Sequence, residues 1–372
     1  MNDDLSLRLL GRIMAWDDDR ARQEYRWLKG IAHLKYDAYR DFQAGMRFIE
    51  SLANWLQQFD RAERETAYAF VRTRLVFIGR AEMHHLVDQF YPKVVHEQLV
   101  RNVAAKHGLL PYQAELDPPL QQEIKDLRRK TLFLGLSDGA RMDVLRHSTV
   151  GILNNEQLVA TTTPNEDKWR DLGADLRHDL GDSEARFEMV YLIDDFVASG
   201  TSLLRYDKVK SAWKGKLYRF MESIRNVKDE IFSEDWILCI HHYLAAHAAT
   251  SRLESARKES EEAFSGAGWG SMQFSFGMTL PSDLPLSQDR AEDQPFIALA
   301  DRYYDQQIET KHTRIGGVDR IHLGYAGCAL PVVLEHNTPN NSVALLWAET
   351  QGSVEPAAPA MRPLFRRRQR HI

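Results

Sequence analysis

The segment Phe187–Arg205, FEMVYLIDDFVASGTSLLR, holds the strongest pattern in the chain. An apolar run, Met189–Ile193, is followed by two adjacent carboxylates, Asp194 and Asp195, and then by a loop of small and hydroxyl residues, Ala198–Ser202. The run is short, partly β-branched or aromatic, and bounded by turn residues, so it predicts a buried strand. The loop predicts exposed backbone N–H groups ahead of a helix, an arrangement that commonly binds anions.

This arrangement has two interpretations. Two acids beside a phosphate cradle suit a ligand that carries both hydroxyl and phosphate groups, usually with Mg²⁺ between them. In the alternative, the segment is an ordinary strand–turn–helix unit whose Asp pair is solvated and whose Ser199 only caps the helix. Both interpretations place the start of a helix at Leu203–Arg205.

Composition excludes several classes of protein. The chain has 372 residues, 44% hydrophobic and 27% charged, and a net charge of −5, which gives no electrostatic case for general nucleic-acid binding. No apolar run approaches the roughly 20 residues of a membrane span, and the acidic N-terminal sequence does not resemble a signal peptide. Two cysteines, Cys239 and Cys328, cannot form a disulfide framework. We therefore expect a soluble cytoplasmic protein without a membrane partner.

Hydrophobic periodicity predicts an α/β fold. Residues 1–130 show helical spacing, as in Phe48, Leu52, Trp55 and Leu56. Strand-like runs follow at Thr131–Leu136, Trp236–Ile240 and Met272–Phe276. We expect a central, mainly parallel sheet with helices on both faces, preceded by a helical region. The predicted ranges are a helical region at 1–130, an α/β domain at 131–350 and a basic, disordered tail at 351–372.

The acidic pair and its loop closely resemble the phosphoribosyl diphosphate (PRPP) signature of type I phosphoribosyltransferases, in which a strand leads to an acidic pair and a Thr/Ser-Gly-x-Thr/Ser loop. The resemblance implies the type I phosphoribosyltransferase fold and the use of Mg²⁺. It implies that Asp194 and Asp195 are catalytic, hold the ribose hydroxyls, and contact Mg²⁺ indirectly through PRPP. It also implies a 5′-phosphate loop made of Ala198, Ser199, Gly200, Thr201 and Ser202.

A second small loop, Ser137–Arg141, follows the predicted strand Thr131–Leu136. In the phosphoribosyltransferase family the loop at this place contacts pyrophosphate, so the resemblance makes substrate-binding residues of Ser137, Asp138, Gly139 and Arg141. The guanidinium of Arg141 suits bidentate phosphate contact. The alternative is an ordinary βα turn with Arg141 as a surface charge.

Two other regions have open interpretations. The polar region 161–186 corresponds to a mobile flap in some family members, with Lys168, Arg170 and Arg177 as cationic clamps, but an inert surface excursion is equally compatible. At the end of the strand near residue 240, His241 or His242 could face a ligand, because open α/β sheets bind ligands there. Cys239 and His241 alone make a poor metal site.

The turn at residues 335–342, EHNTPNNS, precedes another apolar run. Together with the PRPP signature it resembles phosphoribosyltransferase-like proteins of prokaryotic conflict systems, which are anti-phage and in part retron-associated. The resemblance adds His336, Asn337 and Asn340 to the substrate-binding residues. The structural alternative is a strong turn at Pro339-Asn340-Asn341.

The resemblance implies an enzyme that acts at the ribosyl C1 of PRPP or a nucleotide, in either direction, as an anti-phage effector. Some family members carry a proton-transferring acid where this chain has Ala198. Either the acceptor needs no such help, or another group such as Asp138, Glu335 or His336 supplies it. The alternatives are a non-catalytic PRPP or nucleotide sensor, and a protein whose helical N-terminal region docks a partner. The basic tail could contact a nucleic-acid-containing defence complex, although a solvated tail is more common.

Overall fold

The computed structural model describes residues 3–208, 210–261, 264–310, 313–354 and 357–367. The chain forms two compact units: residues 1–82 with 282–372, which we call the terminal unit, and residues 83–281, which we call the sheet unit. These bounds differ from the predicted 1–130, 131–350 and 351–372, because both ends of the chain contribute to one core.

The secondary structure of the described residues alternates helices with short and long strands. The α-helices are α1 (Asp3–Met14), α2 (Asp18–Leu34), α3 (Phe48–Gln57), α4 (Arg64–Thr73), α5 (Arg80–Phe90), α6 (His96–Lys106), α7 (Pro111–Leu116), α8 (Pro118–Arg129), α9 (Met142–Ser148), α10 (Glu166–Leu180), α11 (Lys216–Ile224), α12 (Lys228–Ile231), α13 (His247–Ser260), α14 (Gln294–Arg302) and α15 (Ala344–Trp347). The strands are β1 (Val76–Ile78), β2 (Thr131–Gly135), β3 (Leu158–Val159), β4 (Phe187–Val197), β5 (Arg205–Asp207), β6 (Ala212–Lys214), β7 (Phe232–Ala245), β8 (Trp269–Thr279), β9 (Val332–Leu334), β10 (Ser353–Val354) and β11 (Ala357–Ala358).

The sheet unit is built on a five-stranded sheet of order β3-β2-β4-β7-β8, in which every neighbouring pair is parallel. The predicted α/β class with a mainly parallel sheet is therefore confirmed. The strand β4 is buried on both faces, which explains why its sequence is a continuous apolar run and not an alternating one.

Helices cover both faces of this sheet. On one face, Trp169 of α10 and Phe220 of α11 pack in a core with Val190, Leu192 and other strand residues. On the other face, the ring of Phe90, at the end of α5, contacts the rings of Phe133, Tyr191, His241 and Tyr243.

Two local predictions in this unit are wrong. No helix begins at Leu203–Arg205: Arg205–Asp207 pairs with Ala212–Lys214 as an antiparallel hairpin, and α11 starts only at Lys216. Most of the proposed flap is the helix α10, whose Trp169, Leu172 and Leu176 are buried in the core. Most residues of this helix are charged, so the few apolar residues, spaced three and four apart, are difficult to recognise as a buried stripe from sequence.

The terminal unit has a mainly helical core. Its short strands β1 and β9 pair in parallel, and helices α1 to α4 and α14 contribute to one apolar cluster. The predicted disordered tail is wrong for part of its length, because Met361, Leu364 and Phe365 are buried in this cluster. Arg368 and Arg370 of the basic tail lie outside the described residues. No helix among the described residues is long and apolar enough to cross a membrane.

Candidate functional site

The order of the parallel strands reverses between the carboxyl ends of β2 and β4, and we call this switch point, with the loops that follow the two strands, the crevice. The chain leaves β2 towards β3 on one side, and β4 then pairs on the other side of β2. Ligands of open α/β sheets bind where the strand order reverses in this way. Two loops follow these strands, residues 136–141 and 198–204, and they contain the predicted ligand-binding segments Ser137–Arg141 and Ala198–Ser202.

The loop 136–141 packs on the acidic pair. The hydroxyl of Ser137 donates a hydrogen bond to Oδ1 of Asp194 (2.5 Å), and the backbone N–H of Leu136 donates to the carbonyl of Ile193 (2.7 Å). Gly139 packs so closely on Asp195 that a Cβ at this position would lie 2.5 Å from the carboxyl carbon. A side chain at residue 139 would displace Asp195, so glycine allows this approach.

Asp194 also pairs with a cation that sequence reasoning missed. The ammonium group of Lys216 forms an ion pair with Oδ2 of Asp194, so both carboxylate oxygens of Asp194 are engaged within the protein. Burial, and then the charge of Asp195, raise the pKa of Asp194, while Lys216 and Ser137 oppose that rise. Asp194 is 4% exposed and is therefore better placed to organise the site than to contact solvent.

Lys216 reaches Asp194 because the hairpin β5–β6 returns the chain to the loop. Gly215 has φ +124°, and a Cβ there would lie 2.7 Å from the carbonyl carbon of Leu203. The N–H groups of Lys216 and Leu217 donate to the carbonyls of Ser202 and Leu203, both at 3.0 Å. A lysine fourteen positions beyond Ser202 carries no local pattern that would reveal this contact.

The loop Ala198–Ser202 has backbone donors without a backbone acceptor. Its last carbonyls face α11, whereas the N–H groups of Ser199, Gly200 and Ser202 make no backbone hydrogen bond to a described residue. Gly200 has φ +74°, and the hydroxyls of Ser199 and Thr201 lie 3.1 Å apart. The donors belong to the loop itself and not to a following helix, since none begins there. This is the cradle geometry that favours anions.

Arg141 is the cationic residue of the loop 136–141. It is 7% exposed and adopts a left-handed backbone conformation, with φ 53° and ψ 40°. A non-glycine residue in this region stores local strain of about 1–3 kcal/mol, which commonly accompanies functional loops. Asp138, by contrast, is exposed to solvent.

The two histidines of β7, His241 and His242, are buried within the sheet. His241 and His242 belong to β7, which extends to Ala245, and Asp194 pairs in register with His242. Burial lowers the pKa of His242 to about 3, with a further contribution from Lys216, so this ring is neutral at physiological pH. Burial raises the pKa of the Cys239 thiol to about 12. Within the described ranges, no three His, Cys, Asp or Glu residues form a cluster that could hold a metal ion.

The remaining predicted substrate-binding residues belong to the other compact unit. His336, Asn337 and Asn340 belong to the terminal unit, where the N–H of Asn337 donates to the carbonyl of Leu334 and the carbonyl of Asn340 accepts from Tyr325. These are turn-stabilising contacts. Of the proposed flap cations, Arg170 pairs with Glu166 and Glu230 on the surface of α10 and α12.

An all-parallel sheet with two small-residue loops at its switch point defines the class of this protein. A family model adds the particular family: the PRTase-CE model, which describes phosphoribosyltransferase-like proteins, matches residues 52–367. The chain belongs to this family. Searches of curated proteins and of solved structures found no significant match.

Proposed function

We propose that this protein binds PRPP or a nucleotide between its two loops and acts on the bond at ribosyl C1. The observation that carries this proposal is the packing of residues 136–141 on Asp194 and Asp195, with the loop 198–204 directly after the strand that bears these acids, at the switch point of a parallel sheet. Membership of a phosphoribosyltransferase-like family supports it independently.

Each part of the crevice has a chemical task in this proposal. The N–H groups of Ser199, Gly200 and Ser202 bind the 5′-phosphate, and Asp195 accepts hydrogen bonds from the ribose hydroxyls. Arg141 binds the pyrophosphate group that leaves when the C1–O bond breaks and the acceptor bonds to C1. Asp194, held by Ser137 and Lys216, fixes the distance between the loops.

The residues fit Mg²⁺ only as part of the substrate. Since no three-residue ligand cluster occurs among the described residues, most Mg²⁺ ligands would come from pyrophosphate, hydroxyls and water. Asp195 would contribute to that shell, and Mg²⁺ would neutralise charge on the leaving group. Asp194 could become a ligand of Mg²⁺ only if Lys216 moved away from it.

A second candidate function is a sensor that binds PRPP or a nucleotide without turnover. Two observations favour it: Asp194 is neutralised by Lys216, and Ala198 offers no group that could transfer a proton. Asp138 is exposed beside the crevice and is the remaining candidate base within the sheet unit. Turnover therefore separates the two candidates.

The experiment that tests the proposal is calorimetric titration of Mg²⁺-PRPP into the wild type, Asp195→Asn and Asp229→Asn. We expect binding by the wild type and at least a tenfold loss in Asp195→Asn. Asp229 is a matched control because its carboxylate is 94% exposed on α12, before β7 and hence at the opposite edge of the sheet. Absence of binding by folded wild type would refute the proposal.

Release of pyrophosphate from PRPP, or of base from a nucleotide, is then measured with the same three proteins. Turnover by the wild type and by Asp229→Asn, lost in Asp195→Asn, would establish an enzyme. Tight binding without turnover across a panel of bases and nucleotides would establish the sensor.

We also propose a role in anti-phage defence, with a protein or nucleic-acid-containing partner. The support is the resemblance at residues 335–342 and the helical N-terminal region. Phage plating on cells that produce wild type or Asp195→Asn tests the role: equal plaque counts with both and with an empty vector would contradict it. Partner capture needs the full chain, because residues 1–82 share their core with residues 282–372.

A further inference from the structure

Three consecutive polar side chains are buried in β7 beside the acidic pair. Nε2 of His241, Nδ1 of His242 and the hydroxyl of Tyr243 have no hydrogen-bond partner among the described residues. Buried polar atoms are nearly always hydrogen-bonded in native proteins, so such a group needs an explanation. The other nitrogen of His241 does bond to the hydroxyl of Ser275, at 2.9 Å. The hydroxyl is the only polar atom of the Tyr243 side chain, and it has no hydrogen-bond partner among the described residues.

Tyr243 lies next to Asp195 in the sheet. The register pairs are Asp194 with His242 and Phe196 with Leu244, so Asp195 and Tyr243 occupy the intervening positions on adjacent parallel strands. Side chains at such positions point to the same face, with their backbones about 4.8 Å apart. Tyr243 is completely buried, and its ring is flanked by the rings of Phe90 and His241.

The Tyr243 hydroxyl interacts electrostatically with the charged residues of the crevice. Burial raises the pKa of Tyr243, Arg141 lowers it, and Asp194 and Asp195 raise it further. The phenol therefore stays protonated and is available as a donor. It remains without a partner even though the carboxylates are near, so the group that it is placed to bond is absent from the protein itself.

Resting on the proposed function, we propose that the Tyr243 hydroxyl donates a hydrogen bond to an anionic oxygen of the pyrophosphate group that Arg141 binds. A guanidinium and a neutral hydroxyl are complementary to one phosphate group, because each supplies donors and neither supplies negative charge. A phenylalanine could fill the same apolar space but could not make this bond. Tyr243 thus becomes a ligand-binding residue on a strand, between the two loops.

The test compares Tyr243→Phe with Tyr191→Phe, a matched control. Tyr191 is equally buried on the same face of the neighbouring strand, but its hydroxyl bonds to Cys239. We expect Tyr243→Phe to weaken binding of Mg²⁺-PRPP and of inorganic pyrophosphate by about 10- to 100-fold, as for the loss of a bond to a charged group. Tyr191→Phe should leave both affinities unchanged.

The stability of the ligand-free proteins supplies the second readout. Removal of an unsatisfied hydroxyl should leave the stability of Tyr243→Phe unchanged or raised, whereas Tyr191→Phe loses a hydrogen bond and should be less stable. Unchanged affinity in Tyr243→Phe would overturn this inference and leave the proposed function standing. Weaker binding of PRPP but not of pyrophosphate would also overturn it. Failure of the wild type to bind either would refute both proposals.

Discussion

Replacement of Lys216 by methionine removes the cation from a buried ion pair while keeping the length of the side chain. The side chains of Lys216 and Asp194 are 18% and 6% exposed, so solvent can compensate little for the loss. Asp194 would then lie buried beside Asp195 with only Ser137 as a partner. Breaking a buried pair from one side typically costs about 3–5 kcal/mol, and we expect a loss of that size in the free energy of unfolding at pH 8.

The sign of the pH dependence follows from the same geometry. Without Lys216, the pKa of Asp194 rises further above its ordinary value, because the cation that lowered it is gone. Over the interval between the unfolded and the folded pKa, the folded state binds more protons than the unfolded state, so its stability falls as pH rises. The deficit of Lys216→Met should therefore shrink between pH 8 and pH 5. Adding Asp194→Asn should restore most of the loss.

Urea denaturation at pH 5 and pH 8 measures these effects, with the midpoint of each resolved transition followed because two compact units can unfold separately. Lys214→Met is the matched control. Lys214 pairs with Asp207 on the hairpin, where the side chains are 31% and 24% exposed, so its loss should cost at most about 1 kcal/mol. A Lys216→Met deficit no larger than that of the control, or one independent of pH, would refute the reasoning.

Three further predictions concern stability. Gly215→Ala should lower the free energy of unfolding by more than about 2 kcal/mol in urea titration, since φ is +124° and the new Cβ would meet the carbonyl of Leu203. Because the folded pKa of His242 is about 3 and the unfolded state protonates near 6.5, stability should fall by about 1.4 kcal/mol per pH unit as pH drops between these values. In His242→Gln that part of the slope should vanish; an unchanged slope would contradict it. Phe365→Ala should cost about 3–5 kcal/mol, whereas the exposed Leu34→Ala should cost almost nothing; equal thermal midpoints would disprove the packing of the tail.

Local patterns were sufficient for the strands that carry the site. Met189–Ile193 lies inside β4, Thr131–Gly135 forms β2, and the runs near residues 240 and 274 lie in β7 and β8. The first three are short apolar runs bounded by turn residues, and a strand buried on both faces requires such a run. Met272–Phe276 instead alternates apolar and polar residues, and its strand β8 is only half-buried. The same reasoning failed at Leu203–Arg205, where residues suited to a helix form a hairpin that α11 and the loop hold in place.

The partition of the chain could not be predicted in this way. Phe365 belongs to the tail, yet it contacts the rings of Tyr36, Tyr39 and Phe48 in the N-terminal helices. Contacts between residues more than three hundred positions apart produce no periodic pattern in the sequence. Composition alone therefore predicts disorder for a basic segment with few apolar residues. In the structure those few apolar residues are buried, and they hold this part of the tail against the core.

Local sequence patterns are sufficient for the α/β class, the strand segments and the two small-residue loops, because each depends on residues that are neighbours in the chain. Only the tertiary structure decided that Lys216 neutralises Asp194 and that the Tyr243 hydroxyl is buried beside Asp195 without a partner. It also assigned His336, Asn337 and Asn340 to the terminal unit. The physical reason is common to all three: strand register and chain return bring side chains together, and neither can be read from local composition.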